Sequence, residues 1–141
     1  MEIAQLLQAN QLFENLAKSE IELIARSTRL EAYKAGQMIL REGRVGAAFF
    51  IIVSGRVEVV KDINKADAVV LATLGPGEFF GEISTIKHLP RSASVRALEE
   101  SECLGIWRAD FDGFISQFPE AAAKVEAGAR ARLASGQGLK D

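Results

Sequence analysis

At 141 residues and 15.3 kDa, with 48% hydrophobic and 26% charged residues, the chain has the size and balance of a single folded domain and excludes a disordered one. A net charge of −2 and a pI near 5.5 leave no basic field of the kind nucleic-acid binders use, so no direct nucleic-acid contact is expected. The single cysteine, Cys103, excludes an internal disulfide and suits a cytoplasmic protein.

The N-terminus has an acid at position 2 and polar residues within its apolar pattern, unlike a signal peptide. The longest wholly apolar run, residues 47–53, is far too short to span a bilayer, so no membrane partner is expected. Ile3, Leu6, Leu7, Leu12, Phe13 and Leu16 recur at helical spacing, with a break at Asn10 and Gln11. Ser19 with Glu22 reads as a capping box that starts a second helix running to about Ser27 and burying Ile21, Leu23 and Ile24.

From Arg29 onward the pattern is that of short strands, predicted at residues 30–34, 37–41, 48–54, 56–62, 69–74, 92–97 and 102–108. Gly36, Gly43, Gly46 and Gly55 punctuate them, residues 64–68 read as an exposed hairpin tip, and Gly75-Pro76-Gly77 as a sharp turn. Such spacing favours an antiparallel sandwich or barrel. Val57 and Val59 are expected to point inward and Arg56 and Glu58 to face water, whereas residues 49–53 are apolar on both faces and should be covered on both. Asp110 is placed to cap a helix carrying Phe111, Phe114, Ile115 and Phe118, which Pro119 ends. An alanine-rich helix over about 120–134 and a frayed tail follow.

The densest chemistry lies in residues 79–95. Arg91 offers a planar, permanently charged fork of donors suited to a phosphate, and Glu82, nine residues before it, is an acceptor-only carboxylate that tolerates a neighbouring anion only if it faces a hydroxyl or a cation. A ligand with both a phosphate and a sugar hydroxyl satisfies the pair. Gly81 removes a Cβ where a backbone must turn or approach a ligand, and residues 83–88 can form one helical turn whose N–H groups point at the anion. The plain alternative is a surface ion pair worth about 0 to 1 kcal/mol.

The string F-G-E-I-S from Phe80, six intervening residues, then R-S-A-S-V from Arg91 resembles the phosphate-binding cassette of cyclic-nucleotide-binding domains, as found in protein kinase A regulatory subunits, gated channels and catabolite-activator-type regulators. Ser84 and Thr85 depart from the alanine and leucine frequent there, without removing a charge or a turn. The resemblance implies a mainly β fold with flanking helices: a double-stranded jelly-roll β-barrel over about 29–108, N-terminal helices over about 3–27, a short cassette helix, two C-terminal helices over about 110–134 and a tail at 135–141, in one domain spanning 1–141. It implies that Glu82 accepts a ribose 2′-hydroxyl, that Arg91 pairs with the cyclic phosphate, and that backbone N–H groups of Ile83, Ser84, Ser92 and Ala93 complete a cradle framed by Phe80 and Gly81. The ligand is expected to be cAMP rather than cGMP, although a hydroxyl at the position of Ser92 also suits cGMP.

Taken as complete, the chain is expected to be a non-enzymatic sensor whose C-terminal helices move on binding, with a regulated protein partner and a possible homodimer seam along those helices. Val125, Arg130 and Leu133 are candidates to cap the base. The alternatives are an interaction adaptor with a vestigial pocket, or the sensor half of a DNA-binding regulator. A metal or haem centre is disfavoured by a single histidine, His88, expected to be exposed, and thiol catalysis by a Cys103 that reads as a small buried hydrophobe. Trp107, at the end of the last strand, reads as core.

Overall fold

The structure is a computed structural model and describes residues 2–81, 89–120, 123, 124 and 127. The chain opens with α1 (Ile3–Gln8), a 3-10 turn (Gln11–Phe13) and α2 (Lys18–Ala25). The break foreseen at Asn10 is also an attachment: its Oδ1 accepts the Leu12 N–H at 2.9 Å and its Nδ2 donates to the Gly77 carbonyl at 2.7 Å, tying the helices to the glycine-proline turn. The start of α2 corrects the sequence reading. The N-cap is Ala17, and Glu20, not Glu22, reaches back, its Oε1 accepting the Ala17 N–H at 2.7 Å, so Ser19 falls inside the first turn. An ionised carboxylate is a stronger acceptor for a helix-start N–H than a serine hydroxyl, and it decides the register.

Among the described residues eight strands follow: β1 (Arg29–Tyr33), β2 (Met38–Leu40), β3 (Ala48–Ser54), β4 (Val57–Lys61), β5 (Val69–Leu74), β6 (Phe79–Phe80), β7 (Ser94–Ala97) and β8 (Ser101–Trp107). They make two four-stranded antiparallel sheets, ordered β1-β8-β3-β6 and β2-β7-β4-β5. The pairing couples β1 with β8, β2 with β7, β3 with β6 and β4 with β5, so the chain runs as one long hairpin folded over itself with β4 and β5 at its tip. Every predicted strand is present; β6, only two residues long, is too short for any periodicity to reveal.

The apolar run of β3 explains how the layers hold together. Phe50 and Ile52 face the core between the sheets with Val57, Val59, Phe80, Val95 and Cys103, while Phe49 and Ile51 face the helices with Leu7, Phe13, Ile21, Ile24 and Phe111. A strand covered on both faces needs no polar alternation, as its sequence suggested. On β4 the inward placement of Val57 and Val59 holds, but Glu58 does not face open water: it is 8% exposed and ion-paired with Arg96, its direct cross-strand neighbour on β7. The guanidinium covers the carboxylate and removes it from solvent.

After β8 the chain enters α3 (Arg108–Gln117), which buries Phe111 and Phe114. Its N-cap is Trp107; Asp110 lies in the first turn, where its charge suits the positive end of the helix. Trp107 is 38% exposed rather than core, because β8 ends there as the chain turns into α3. Residues 123, 124 and 127 are helical, while Val125, Arg130, Leu133 and the tail at 135–141 lie outside the described residues.

Gly55 shows how tightly the strand ends are fitted. Its φ is +89°, and a Cβ there would stand 2.1 Å from Ser101 Oγ and 2.6 Å from the Glu100 carbonyl, whereas Gly36, at +85°, has nothing within 4 Å. Gly36→Ala should therefore cost only the left-handed backbone, about 1–2 kcal/mol, and Gly55→Ala more. Urea unfolding should rank the wild type above Gly36→Ala and that above Gly55→Ala; equal losses would contradict the packing argument.

Candidate functional site

The site is built on the segment that leads into β7. Pro90 bridges Val45, and the Arg91 N–H donates to the Arg44 carbonyl at 2.8 Å while the Gly43 N–H donates to the Arg91 carbonyl at 2.8 Å. This short antiparallel clasp fixes the Arg91 backbone and sends its side chain inward. Arg91 is 5% exposed; its Nη1 donates to the Gly81 carbonyl at 3.2 Å and its Nη2 to the carbonyl of Ala48. A buried cation is tolerable only where oriented dipoles or counter-charges replace its water, and these carbonyls provide part of that.

Gly81 completes the arrangement by what it lacks. Its φ is +84°, and a Cβ there would stand 2.6 Å from Arg91 Nη1 and 3.1 Å from Leu40 Cδ1. A side chain at this position would push the guanidinium away, so the glycine is what lets the Arg91 fork sit against the Gly81 main chain. A planar fork of donors held in this way is the kind of group that grips a phosphate in two places.

The other predicted site residues divide clearly. Phe80 is 1% exposed and stacks on Phe50 with ring centroids 5.5 Å apart, so its side chain belongs to the core and only its main chain can border a ligand. Ala93 is fully buried in the same core, and Ser92 is exposed, its carbonyl accepting a hydrogen bond from Lys61 Nζ at 3.2 Å. Glu82, Ile83 and Ser84, with Thr85 and His88, lie outside the described residues. Sequence reasoning missed the Ala48 carbonyl and the clasp from Gly43 and Arg44. Main-chain partners leave no mark in residue type, and only Gly43 hinted at a turn.

Burial pushes the Cys103 thiol up to about 12, which leaves almost no thiolate near neutrality and agrees with its reading as a hydrophobe. Among the described residues no group of three or more His, Cys, Asp or Glu is arranged to hold a metal ion, and no helix is long and apolar enough to cross a membrane.

Residues 30–118 match the cyclic nucleotide-binding domain family, and the chain belongs to it. It is 33% identical over 121 residues to the cyclic AMP receptor protein of Thermus thermophilus, covering 86% of this chain and 56% of that one. It is 37% identical over 121 residues to a cyclic nucleotide-gated potassium channel of Rhizobium etli, covering 86% of this chain and 32% of the channel. The chain thus spans about half or less of the length of these relatives. Among solved structures, the catabolite activator protein of Thermus thermophilus superposes with a TM-score of 0.75 at 33% identity, covering 90% of this chain and 60% of that one.

One long-range contact ties the C-terminal side of this region to the N-terminal helices. Lys124 Nζ lies 2.8 Å from Glu20 Oε1, and Glu20 is 6% exposed. The hydrogen bond from Lys124, helped by the Ala17 N–H and the Lys124 charge and opposed by burial, holds the Glu20 carboxyl below its ordinary value of 4.5. A carboxyl depressed in the folded state stabilises that state above its unfolded pKa and ceases to do so as pH falls through the folded value. Thermal melts from about pH 7 downward should therefore lose stability below about pH 5, and Lys124→Met should lessen that loss. An unchanged pH slope in the variant would contradict the tie.

Proposed function

We propose that the chain is a regulatory sensor that captures a cyclic nucleotide, cAMP in preference to cGMP, and carries out no catalysis of its own. The observation that supports this most strongly is the inward, 5%-exposed Arg91, whose Nη1 lies against a glycine where a Cβ would stand only 2.6 Å away. On this reading Arg91 grips the cyclic phosphate, Glu82 accepts the ribose 2′-hydroxyl, and main-chain N–H groups of Ile83, Ser84, Ser92 and Ala93 complete the cradle, with Phe80 and Gly81 shaping its edge. The pairing of the eight described strands into two four-stranded antiparallel sheets supports a jelly roll, and on this reading the cassette is residues 79–95 and a second C-terminal helix spans about 120–134.

A ligand shifts a two-state equilibrium only by its differential affinity for the two states. Phosphate capture at Arg91 draws the cassette inward, and residues 111–133 swing over the base, with the Glu20–Lys124 pair as one anchor of that segment.

A second reading has its own support. Arg91 already holds two carbonyls of its own chain, as it would in an adaptor whose pocket is vestigial and whose sheets serve only for docking.

Calorimetry separates the two. The sensor binds cAMP more tightly than cGMP, whereas an adaptor shows no heat of binding and no thermal shift with either nucleotide at millimolar concentration. Arg91→Ala should weaken cAMP binding by roughly 30-fold or more, as expected when one partner of a buried charged contact is removed, and Arg91→Lys should restore only part, lacking the fork. The 2′-deoxy analogue should bind about tenfold more weakly through loss of the Glu82 contact. Equal affinities for cAMP and its deoxy form would remove Glu82 from the site.

A further inference from the structure

A concavity borders the Arg91 segment. It is an open cleft of roughly 350 Å³ between residues 41–44 and residues 62–65, with Ser94 in its lining. Ser94 is 3% exposed, and its Oγ accepts the Glu42 N–H at 3.0 Å. The carboxylates here are already engaged within the protein. Glu42 accepts the Asp62 N–H at 2.9 Å and lies 3.7 Å from Lys61 Nζ, and Asp62 lies 3.6 Å from Lys65 Nζ. The bond from Glu42 also holds Asp62 at φ +58°, the one non-glycine position with positive φ among the described residues.

The rim is different. The Arg41 and Arg44 side chains are exposed and make no ion pair or side-chain hydrogen bond with the described residues. Two guanidinia thus flank a polar cleft whose carboxylates are spoken for, an arrangement that attracts negative charge to its mouth. The distribution discriminates between anions. A single compact phosphate bound among these residues would share the cleft with the Glu42 and Asp62 carboxylates, whereas an extended segment can offer separate carboxylates to the two exposed guanidinia of Arg41 and Arg44.

We propose that this cleft docks an extended, acidic segment of a protein partner. Its wall is also fastened to the candidate nucleotide site. Gly43 and Arg44 exchange main-chain hydrogen bonds with Arg91, Glu42 bonds Ser94, and Lys61 bonds the Ser92 carbonyl. A shift of residues 91–94 on nucleotide capture therefore moves the cleft wall, so that docking and capture are linked and each alters the other's affinity by the same factor. This linkage rests on the cyclic-nucleotide reading; the docking itself does not.

The test uses the isotope-labelled full chain without nucleotide, titrated with a synthetic peptide of alternating glutamate and serine and followed by amide chemical shifts. Saturable shifts are expected at residues 41–44 and 62–65, weakened by salt and reduced about tenfold in affinity by Arg41→Glu with Arg44→Glu, with none from a glutamine-serine peptide. Shifts scattered over lysines and arginines elsewhere on the chain, or persisting in the double variant, would overturn the proposal. So would inorganic phosphate reproducing the same shifts and displacing the peptide, since that marks a small-anion site. Repeating the titration with saturating cAMP should change peptide affinity about fivefold or more. If cAMP binds but peptide affinity is unchanged, the linkage fails and the docking stands; if cAMP does not bind, the nucleotide reading fails while the first titration still decides the cleft.

Discussion

A guanidinium held inside a small sandwich, bonded to the carbonyls of Gly81 and Ala48, is the constraint on which the rest of this structure depends. Arginine does not surrender its proton, so the fold must accommodate the charge rather than neutralise it. It does so in part with main-chain dipoles from two elements far apart in sequence, and with a glycine where any side chain would collide with the guanidinium.

The topology makes that meeting possible. Because the chain folds as a long hairpin, β3 pairs with β6, and this brings Ala48 at the start of β3 near Gly81 just after β6. The Gly43 and Arg44 main chain then clasps Arg91 from the other strand of the hairpin. Helices on one face of β3 and the second sheet on the other fix that strand, so the Ala48 carbonyl is a rigid acceptor. The apolar core therefore positions a polar site: the side chains of Phe50, Phe80, Ala93 and Val95 carry no polar group yet set the distance between the strands around it.

Much of this was legible in the residues. The strands of β3 and β5 have the bounds that their apolar and β-branched runs indicate, and β3 is covered on both faces as its lack of alternation implies. The family was readable because the string around Gly81 and Arg91 resembles the phosphate-binding cassette, and residues 30–118 match that family. What escaped was set by tertiary partners. Glu58 looked solvent-facing until Arg96 came alongside it, and Ser19 looked like a cap until Glu20, held by Lys124, took that role. Trp107 looked like core because its size suggests burial, but the strand ends beneath it. The Ala48 carbonyl had no signature at all, since every residue carries one.

The account stands or falls on whether a cyclic phosphate meets Arg91 itself. Side-chain Nε–Hε resonances of the isotope-labelled chain, followed through a cAMP titration, address this directly. A saturable shift at Arg91 with none at Arg96, which is occupied by Glu58, is the predicted result. Saturation of the protein by cAMP with the Arg91 resonance unmoved, or with Arg96 moving in its place, would contradict it.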